Sequence, residues 1–274
     1  MSEKVTIGFI GGGNMARALG SGILATNVQN VDLYVVDHSE RSKQPWQALG
    51  VQVHATPTAQ LSNCQVWIYA VKPQTMKEAI DQTKSYLKPD TLVISVAAGL
   101  TTTTLCEWLN HTNLIRTMPN TPSMIGQGVT GLYACSGVSQ ESIGLATQLL
   151  EAVGQVVRVN DENLLNAVTA LSGSGPAYVF LFIESLIAGA MKLGLTEEAA
   201  KASAIQTILG SALLAKQSPD SPEVLRKNVT SKGGTTAAAL AQFEQKGFAQ
   251  MVEEAMLAAS RRAEELSQEL SQHG

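Results

Sequence analysis

The first residues whose spacing could do chemistry are Gly11-Gly12-Gly13-Asn14-Met15-Ala16, a G-x-G-x-x-A run. It follows a short apolar stretch, Val5–Ile10, and opens a helix-like one, Met15–Ala25. In such a turn Gly11 permits the tight bend, Gly13 lets backbone approach a pyrophosphate, and Ala16 keeps the helix close to a sheet. The first turn of the helix, with Asn14 and Met15, offers free N–H groups and a positive dipole end to phosphates. Asp37 ends the next β-branched run, Val31–Val36, about 20 residues further on, where an acid can accept hydrogen bonds from a ribose. A lone glycine run is often only a tight turn. Here strand, helix and acid all stand in the right order, so the reading is a dinucleotide site and the chemistry is hydride transfer.

The choice of dinucleotide stays open at this level. Asp37 favours an unphosphorylated ribose, whereas Ser39 and Arg41, with Lys43 close behind, could hold a 2′-phosphate, Arg41 in a forked way. The plain alternative for both cations is an exposed loop. Three further segments end apolar runs: Val71-Lys72-Pro73, Ala97-Ala98-Gly99 and Met118-Pro119-Asn120-Thr121-Pro122. Lys72 could meet cofactor or substrate charge, Pro73 would fix its turn, and Ala97 and Ala98 are small enough for a flat nicotinamide to approach. Singly, each is ordinary turn chemistry. Together they form a row of strand-end loops along one sheet edge, as a dinucleotide crevice needs.

The elements that must position these loops alternate. Apolar runs at Val5–Ile10, Val31–Val36, Val66–Val71, Leu92–Val96 and Leu114–Met118 are separated by helical patches at Met15–Ala25, Gln74–Tyr86 and Thr102–Leu109, and Gln140–Val153 follows. Such alternation predicts a mostly parallel sheet with helices on both faces, with Val129–Ala134 and Val156–Val159 as further edge strands. Beyond Asp161 helical patterns dominate, and a boundary is placed at 161/162, giving domains 1–161 and 162–274. Thr196-Glu197-Glu198 reads as a helix N-cap with first-turn acids. The last helix carries Phe248, Met251, Val252, Ala255, Met256, Ala259, Ala263, Leu266 and Leu270 at three- and four-residue spacing.

Composition excludes several classes. The chain has 274 residues, a net charge of -4 and 15% charged residues, with no general pull toward nucleic acid or anionic lipid. Cys64, Cys106 and Cys135 stand far apart and odd in number, which predicts reduced thiols and a cytoplasmic location. Met1-Ser2-Glu3-Lys4 lacks the features of a secretory signal. The apolar segment 177–193 would span about 25 Å as a helix, short of the ~30 Å hydrocarbon layer, and it contains Glu184. No membrane partner is expected, and the segment reads as a buried helix of a domain or subunit interface. No His, Cys, Asp or Glu cluster has metal-ligand spacing, so no metal is expected.

Five segments occur in order: Gly11–Ala16, Ala70-Val71-Lys72-Pro73, Arg116-Thr117-Met118-Pro119-Asn120-Thr121-Pro122, Ala170-Leu171-Ser172-Gly173-Ser174-Gly175-Pro176-Ala177-Tyr178, and Asn228-Val229-Thr230-Ser231-Lys232-Gly233-Gly234-Thr235-Thr236. As a set they resemble the pyrroline-5-carboxylate reductase family, over essentially the whole chain. The resemblance implies an α/β Rossmann domain, doubly wound, followed by an all-α dimerisation domain. It also implies a homodimer with interleaved helical domains, able to assemble further, and reduction of (S)-1-pyrroline-5-carboxylate to L-proline by NADPH, with NADH as an alternative donor. The backbone of Gly233, Gly234, Thr235 and Thr236 is suited to cradle the substrate carboxylate, with Ser231, Thr235 and Thr236 hydroxyls adding donors. By the resemblance Thr236 contacts the substrate and is the catalytic candidate, Asn228 touches the cofactor, and Glu162 lies near the ring nitrogen, where a carboxylate favours the iminium. Read without it, Glu162 is an ordinary first-turn acid. Lys232 stands where the family usually has proline.

Absences agree with an imine substrate. A carbonyl reductase needs a proton donor for the developing alkoxide, yet His38, His54, His111 and His273 all lie outside the special runs. An iminium arrives protonated, so orientation and charge placement can carry the rate. The closest rival, a hydroxyacid dehydrogenase of similar architecture, would need a lysine that Ser172–Tyr178 lacks. A non-catalytic dinucleotide-binding regulator would have no use for the Gly-Gly-Thr-Thr run.

Overall fold

A computed structural model describes residues 4–26 and 30–272; Met1–Glu3 and His273 lie outside the described residues. Eight strands form one sheet in the order β3-β2-β1-β4-β5-β6-β7-β8. They are β1 (Val5–Ile10), β2 (Val31–Val36), β3 (Val53–His54), β4 (Val66–Tyr69), β5 (Leu92–Ser95), β6 (Leu114–Met118), β7 (Gly128–Ala134) and β8 (Gly154–Arg158). β1 through β6 are parallel, β7 runs antiparallel to β6, and β8 is parallel to β7. The chain leaves β1 for β2 on one side and returns to β4 on the other, which makes the β1/β4 neighbourhood the switch point of a doubly wound sheet.

Side chains alternate across the strands and feed two cores. On one face Ile7, Phe9, Ile68 and Ile94 pack with α1 (Asn14–Ala25), α2 (Glu40–Gln47) and α5 (Gln140–Glu151) through Ala16, Leu19, Trp46, Ile143 and Leu149. On the other, Trp67, Tyr69 and Val93 pack with α3 (Met76–Thr83) and α4 (Thr102–Leu109) through Met76, Ile80, Leu105 and Leu109. Both faces are covered, which explains near-continuous apolar strands such as Val66–Tyr69.

α2 and β3 are absent from the sequence reading. α2 is polar and carries Pro45, so it shows no helical apolar period; what holds it is Trp46, fully buried against Phe9. The patch expected at Gln74–Tyr86 is α3 flanked by single 3-10 turns at Pro73–Thr75 and Lys84–Tyr86.

The remaining elements are α6 (Leu164–Val168), a π-turn (Thr169–Gly173), α7 (Gly175–Lys192), α8 (Glu197–Gln217), α9 (Pro222–Asn228), α10 (Thr235–Gln245) and α11 (Phe248–Gln272). Thr196 caps α8 as its sequence predicts, accepting from the Ala199 N–H at 3.3 Å. Two compact units result, one of residues 1–174 with 258–274, the other of residues 175–257. They part at 174/175, later than the 161/162 change of texture, because α6 packs on β7: a side chain at Gly131 would strike Val168 and Leu165.

In the second unit, among the described residues, only Ala200 and Ala204 are buried. Phe182, Phe243 and Phe248 form an aromatic cluster with centroids 5.3 to 6.5 Å apart. Large apolar side chains elsewhere in the unit are open, Phe180 at 60%, Leu181 at 64% and Leu193 at 89% exposure. Leu164–Lys192 is long and apolar enough to cross a membrane by length and composition. Its first part is instead fixed to the sheet, where Leu165 and Ala170 are buried.

Candidate functional site

At the carboxyl ends of β1, β2 and β4 the glycine turn is held from every side. Gly11 has φ +95°, and its N–H donates to Val36 O at 2.8 Å. A side chain there would meet the Ala70 carbonyl and Val71, so only glycine fits. The flanking peptide is clamped twice: Gly12 N–H donates to Asp37 Oδ2 at 2.6 Å, and Trp46 Nε1 donates to Gly12 O at 2.9 Å. Gly12 occupies a variable position of the fingerprint, yet a Cβ there would crowd Trp46 and Asp37. Gly12 and Trp46 are site residues that sequence reasoning missed; the bond between them spans 34 positions, which no local pattern reveals.

Gly13 is different. No protein atom lies within 4 Å of where its Cβ would stand, so packing within the chain does not demand glycine there. Gly13 is the N-cap of α1, no side chain caps that helix, and its first turn holds no acid. Asn14 is exposed and accepts from Arg17, while Met15 packs partly into the core. These features fit a pyrophosphate at the helix start.

Asp37 is held in place by backbone donors, and each oxygen keeps acceptor capacity for a ribose hydroxyl. Oδ1 takes the Ser39 N–H at 2.7 Å while Oδ2 takes Gly12, so both oxygens are engaged by backbone. The expected exposed loop is the start of α2. Ser39 is its N-cap but makes no side-chain cap bond. Lys43 pairs with Glu40 at 2.5 Å, whereas Arg41 is exposed with no ion pair among the described residues. An N-terminal helix turn with a free hydroxyl and a free guanidinium suits a phosphate ester.

The other strand-end loops gather on the same edge. Lys72 is exposed and precedes the Pro73 turn, and Val71 is half-buried. Ala97 is buried and Ala98 exposed. Pro73, Ala98, Gly99, Arg116 and Asn166 share a cavity of about 270 Å³. Asn120 is spent internally: its Nδ2 donates to Ser172 O at 3.0 Å and its Oδ1 accepts from Val129 N at 2.8 Å, tying the π-turn to β7.

Glu162 is no simple first-turn acid. It lies just ahead of α6 but turns onto α4, where Oε1 accepts the Thr102 N–H at 2.7 Å and Oε2 the Thr102 hydroxyl at 2.6 Å. Arg116, 6% exposed, donates to Oε1 at 2.7 Å. Glu162, Arg116, Thr101 and Asn166 line a second cavity of about 400 Å³. Arg116 is common to both cavities and was not singled out in the sequence, because a lone arginine at a strand end carries no local signature.

In the second unit Ser231-Lys232-Gly233-Gly234 forms a turn ahead of α10. Gly233 has φ +74°, and Gly234 N–H donates to Ser231 O at 3.1 Å. Gly234 is the N-cap of α10 and no side chain caps the helix, which leaves the amides at the start of α10, where Thr235 and Thr236 stand, without a side-chain acceptor. Thr235 and Ser231 are exposed and Thr236 is half-buried. Asn228 ends α9 and is exposed, and Lys232 is exposed with no ion pair among the described residues.

A doubly wound sheet, an uncapped glycine-led helix at its switch point and a row of strand-end loops define a nicotinamide-dinucleotide oxidoreductase. Residues 6–99 match the family described as NADP oxidoreductase, coenzyme F420-dependent, and residues 162–266 match pyrroline-5-carboxylate reductase dimerisation. A pyrroline-5-carboxylate reductase of Pseudomonas aeruginosa is 40% identical over 97% of this chain and 98% of its own length. The structure of a pyrroline-5-carboxylate reductase from Coxiella burnetii superposes with a TM-score of 0.90 at 39% identity, covering 95% of this chain and 98% of that one. A pyrroline carboxylate reductase structure from Plasmodium falciparum with NADP bound gives 0.83 at 29% identity, covering 96% and 98%. The chain belongs to the pyrroline-5-carboxylate reductase family, and its reaction is the NADP-linked reduction of pyrroline-5-carboxylate to proline.

Proposed function

We propose that the crevice above β1, β2, β4 and β5 holds NADPH and that the Ser231–Thr236 turn holds the substrate carboxylate. The observation that carries the cofactor reading is Gly13: a glycine that packing leaves free, at an uncapped helix start, beside a turn clamped by Asp37 and Trp46. Gly11, Gly13, Asn14 and Met15 receive the pyrophosphate, Ser39 and Arg41 the 2′-phosphate. Val71, Lys72, Pro73, Ala97 and Ala98 border the nicotinamide, with Asn120 behind them, and Asn228 is the further cofactor contact that the family resemblance implies. Asp37 orients the turn and leaves NADH as a weaker donor. When bound, NADPH supplies the hydride.

The chain's own residues bind and orient the imine. Amides of Gly233, Gly234, Thr235 and Thr236 face the carboxylate, Ser231 and Thr235 hydroxyls add donors, and Lys232 adds a cation beside it. Thr236 hydrogen-bonds the ring nitrogen and fixes which face of the imine carbon receives hydride. Glu162, held by Thr102 and Arg116, supplies negative charge toward the iminium. No protein group has to deliver a proton to an alkoxide, in keeping with the absence of histidine from these turns.

The division 1–161 and 162–274 is retained as the functional one, cofactor first and dimerisation second. A helical unit that buries so little apolar surface is unstable alone, and the match to a dimerisation family supports a homodimer with interleaved helices, able to assemble further, as the cover. That burial also accounts for the apolar Leu164–Lys192 helix without a membrane and supports a cytoplasmic enzyme. The test is direct: purified protein is mixed with pyrroline-5-carboxylate and either NADPH or NADH, and loss of reduced-nicotinamide absorbance is followed. Substrate-dependent oxidation, faster with NADPH, is expected; oxidation independent of pyrroline-5-carboxylate contradicts the reading.

A further inference from the structure

Cys106 and Cys135 are 29 positions apart in sequence, yet their Sγ atoms lie 3.8 Å apart. Cys106 sits on α4. Cys135 follows β7, its N–H bonded to Leu114 O at 3.0 Å, which fixes it beside the start of β6. Both are free and half-buried. Cys106 opens onto a cavity of about 470 Å³ that Lys84, Lys88 and His111 also line. Lys84 is paired with Asp81, while Lys88 has no ion pair among the described residues. A thiol in a cationic recess is the setting in which exchange with an anionic disulfide is favoured.

The two sulfurs are not equivalent. The Cys135 hydrogen bond holds the Cys106 thiol below its usual range, against burial and the nearby Glu162 and Glu107 carboxylates. The same hydrogen bond, then burial, pushes the Cys135 thiol up. Cys64 is buried and its thiol is pushed up to about 12 by burial, so it is an internal control.

We propose that Cys106 and Cys135 form a redox-active dithiol, Cys106 attacking and Cys135 resolving, whose oxidation by a small anionic disulfide of the glutathione type slows the reductase through α4. In the first step the Cys106 thiolate attacks one sulfur of the oxidant. A Cys106 mixed disulfide forms, and one glutathione thiolate leaves and takes up the proton that Cys106 gave up. In the second, Cys135 loses its proton and attacks Cys106 Sγ. The protein disulfide forms and the second glutathione leaves as its thiol. Two protein thiols are oxidised and one external disulfide is reduced to two thiols.

The mechanical link is short. A disulfide has its sulfurs about 2.05 Å apart, so closure brings the two Sγ atoms about 1.8 Å nearer and pins α4 to the end of β7. Thr102 lies one turn before Cys106 on that helix, and Glu162 clamps its N–H and hydroxyl while also holding Arg116. The slowing, though not the exchange, rests on the reading of Glu162 and Arg116 as part of the substrate site.

The test uses the full chain. Reduced protein is treated with oxidised glutathione, quenched by alkylation and read by intact mass and peptide mapping, with pyrroline-5-carboxylate reduction followed in parallel. Wild type and Cys64→Ser are expected to lose two hydrogens in a Cys106–Cys135 cross-link. Cys135→Ser stops as a single glutathione adduct on Cys106, and Cys106→Ser takes none. The wild-type rate falls several-fold and returns on adding dithiothreitol, while untreated Cys106→Ser and Cys135→Ser keep their rates. A first adduct on Cys64 or Cys135, no cross-link, or a cross-link with full activity overturns the proposal. Full activity in Glu162→Gln overturns the reading of Glu162 instead.

Discussion

Asp37 Oδ2 accepts the Gly12 N–H at 2.6 Å, and this bond ties the end of β2 to the turn that faces the phosphates. The acid whose position suits a ribose ligand is thereby also an organiser of the glycine loop. Removing it leaves Gly12 N–H without its acceptor in a half-buried place, at a cost of about 1–3 kcal/mol. Asp37→Ala is expected to lower the melting temperature by roughly 2–12 °C, taking about 2–4 °C per kcal/mol. Its KM for NADPH should rise by about tenfold, while KM for pyrroline-5-carboxylate stays near wild type. Thermal melts and steady-state kinetics check both.

Arg41 is the unpaired cation of the α2 start. A charge-assisted bond to a phosphate is worth about 1.5–3 kcal/mol. Arg41→Ala should therefore weaken NADPH by about 10- to 100-fold and leave NADH nearly unchanged. Titration of both dinucleotides on the variant reads the ratio directly.

Arg116 and Glu162 form a largely buried pair, 7% and 19% exposed at the side chain. Breaking such a pair from one side costs about 3–5 kcal/mol, toward the lower end here because Glu162 keeps some water. Arg116→Met should drop the melting temperature by about 6–12 °C, and Arg116→Lys should restore part of it. If Arg116 also serves the site, Arg116→Lys will melt nearer wild type than Arg116→Met and still turn over slowly. Melts and kcat on the same preparations separate the two roles.

Much of this was legible in local pattern, and the exceptions share a cause. The parallel strands other than the two-residue β3 were visible because both faces are covered, which writes them as apolar runs. The fingerprint was visible because its glycines, helix and acid are close in sequence. Trp46 on Gly12, Arg116 on Glu162 and Cys106 on Cys135 were invisible, since each joins elements that only the sheet brings together. α2 was missed because one tryptophan, not an apolar stripe, holds it. In α7 and α8 the apolar period is blurred for the opposite reason: they carry apolar side chains around much of their circumference.

That surplus of exposed apolar surface leads to a further expectation. Phe180 is 60% exposed on α7. Burying a phenylalanine is worth about 1.5–3 kcal/mol, and a two-fold interface holds each residue twice. Phe180→Asp should raise the dimer dissociation constant by on the order of 100-fold or more. Light scattering across a dilution series would show a wild-type dimer or larger assembly and a lighter variant; equal masses would place Phe180 outside the interface.

Substrate recognition turns on the α10 start. Its most direct test is a comparison of wild type and Thr236→Ala, in which KM for pyrroline-5-carboxylate, KM for NADPH and kcat are measured together. A rise of about tenfold or more in KM for pyrroline-5-carboxylate, or an equal loss in kcat, with the NADPH value unmoved, is the predicted result. Unchanged kcat and KM for pyrroline-5-carboxylate would contradict it and remove Thr236 from the site.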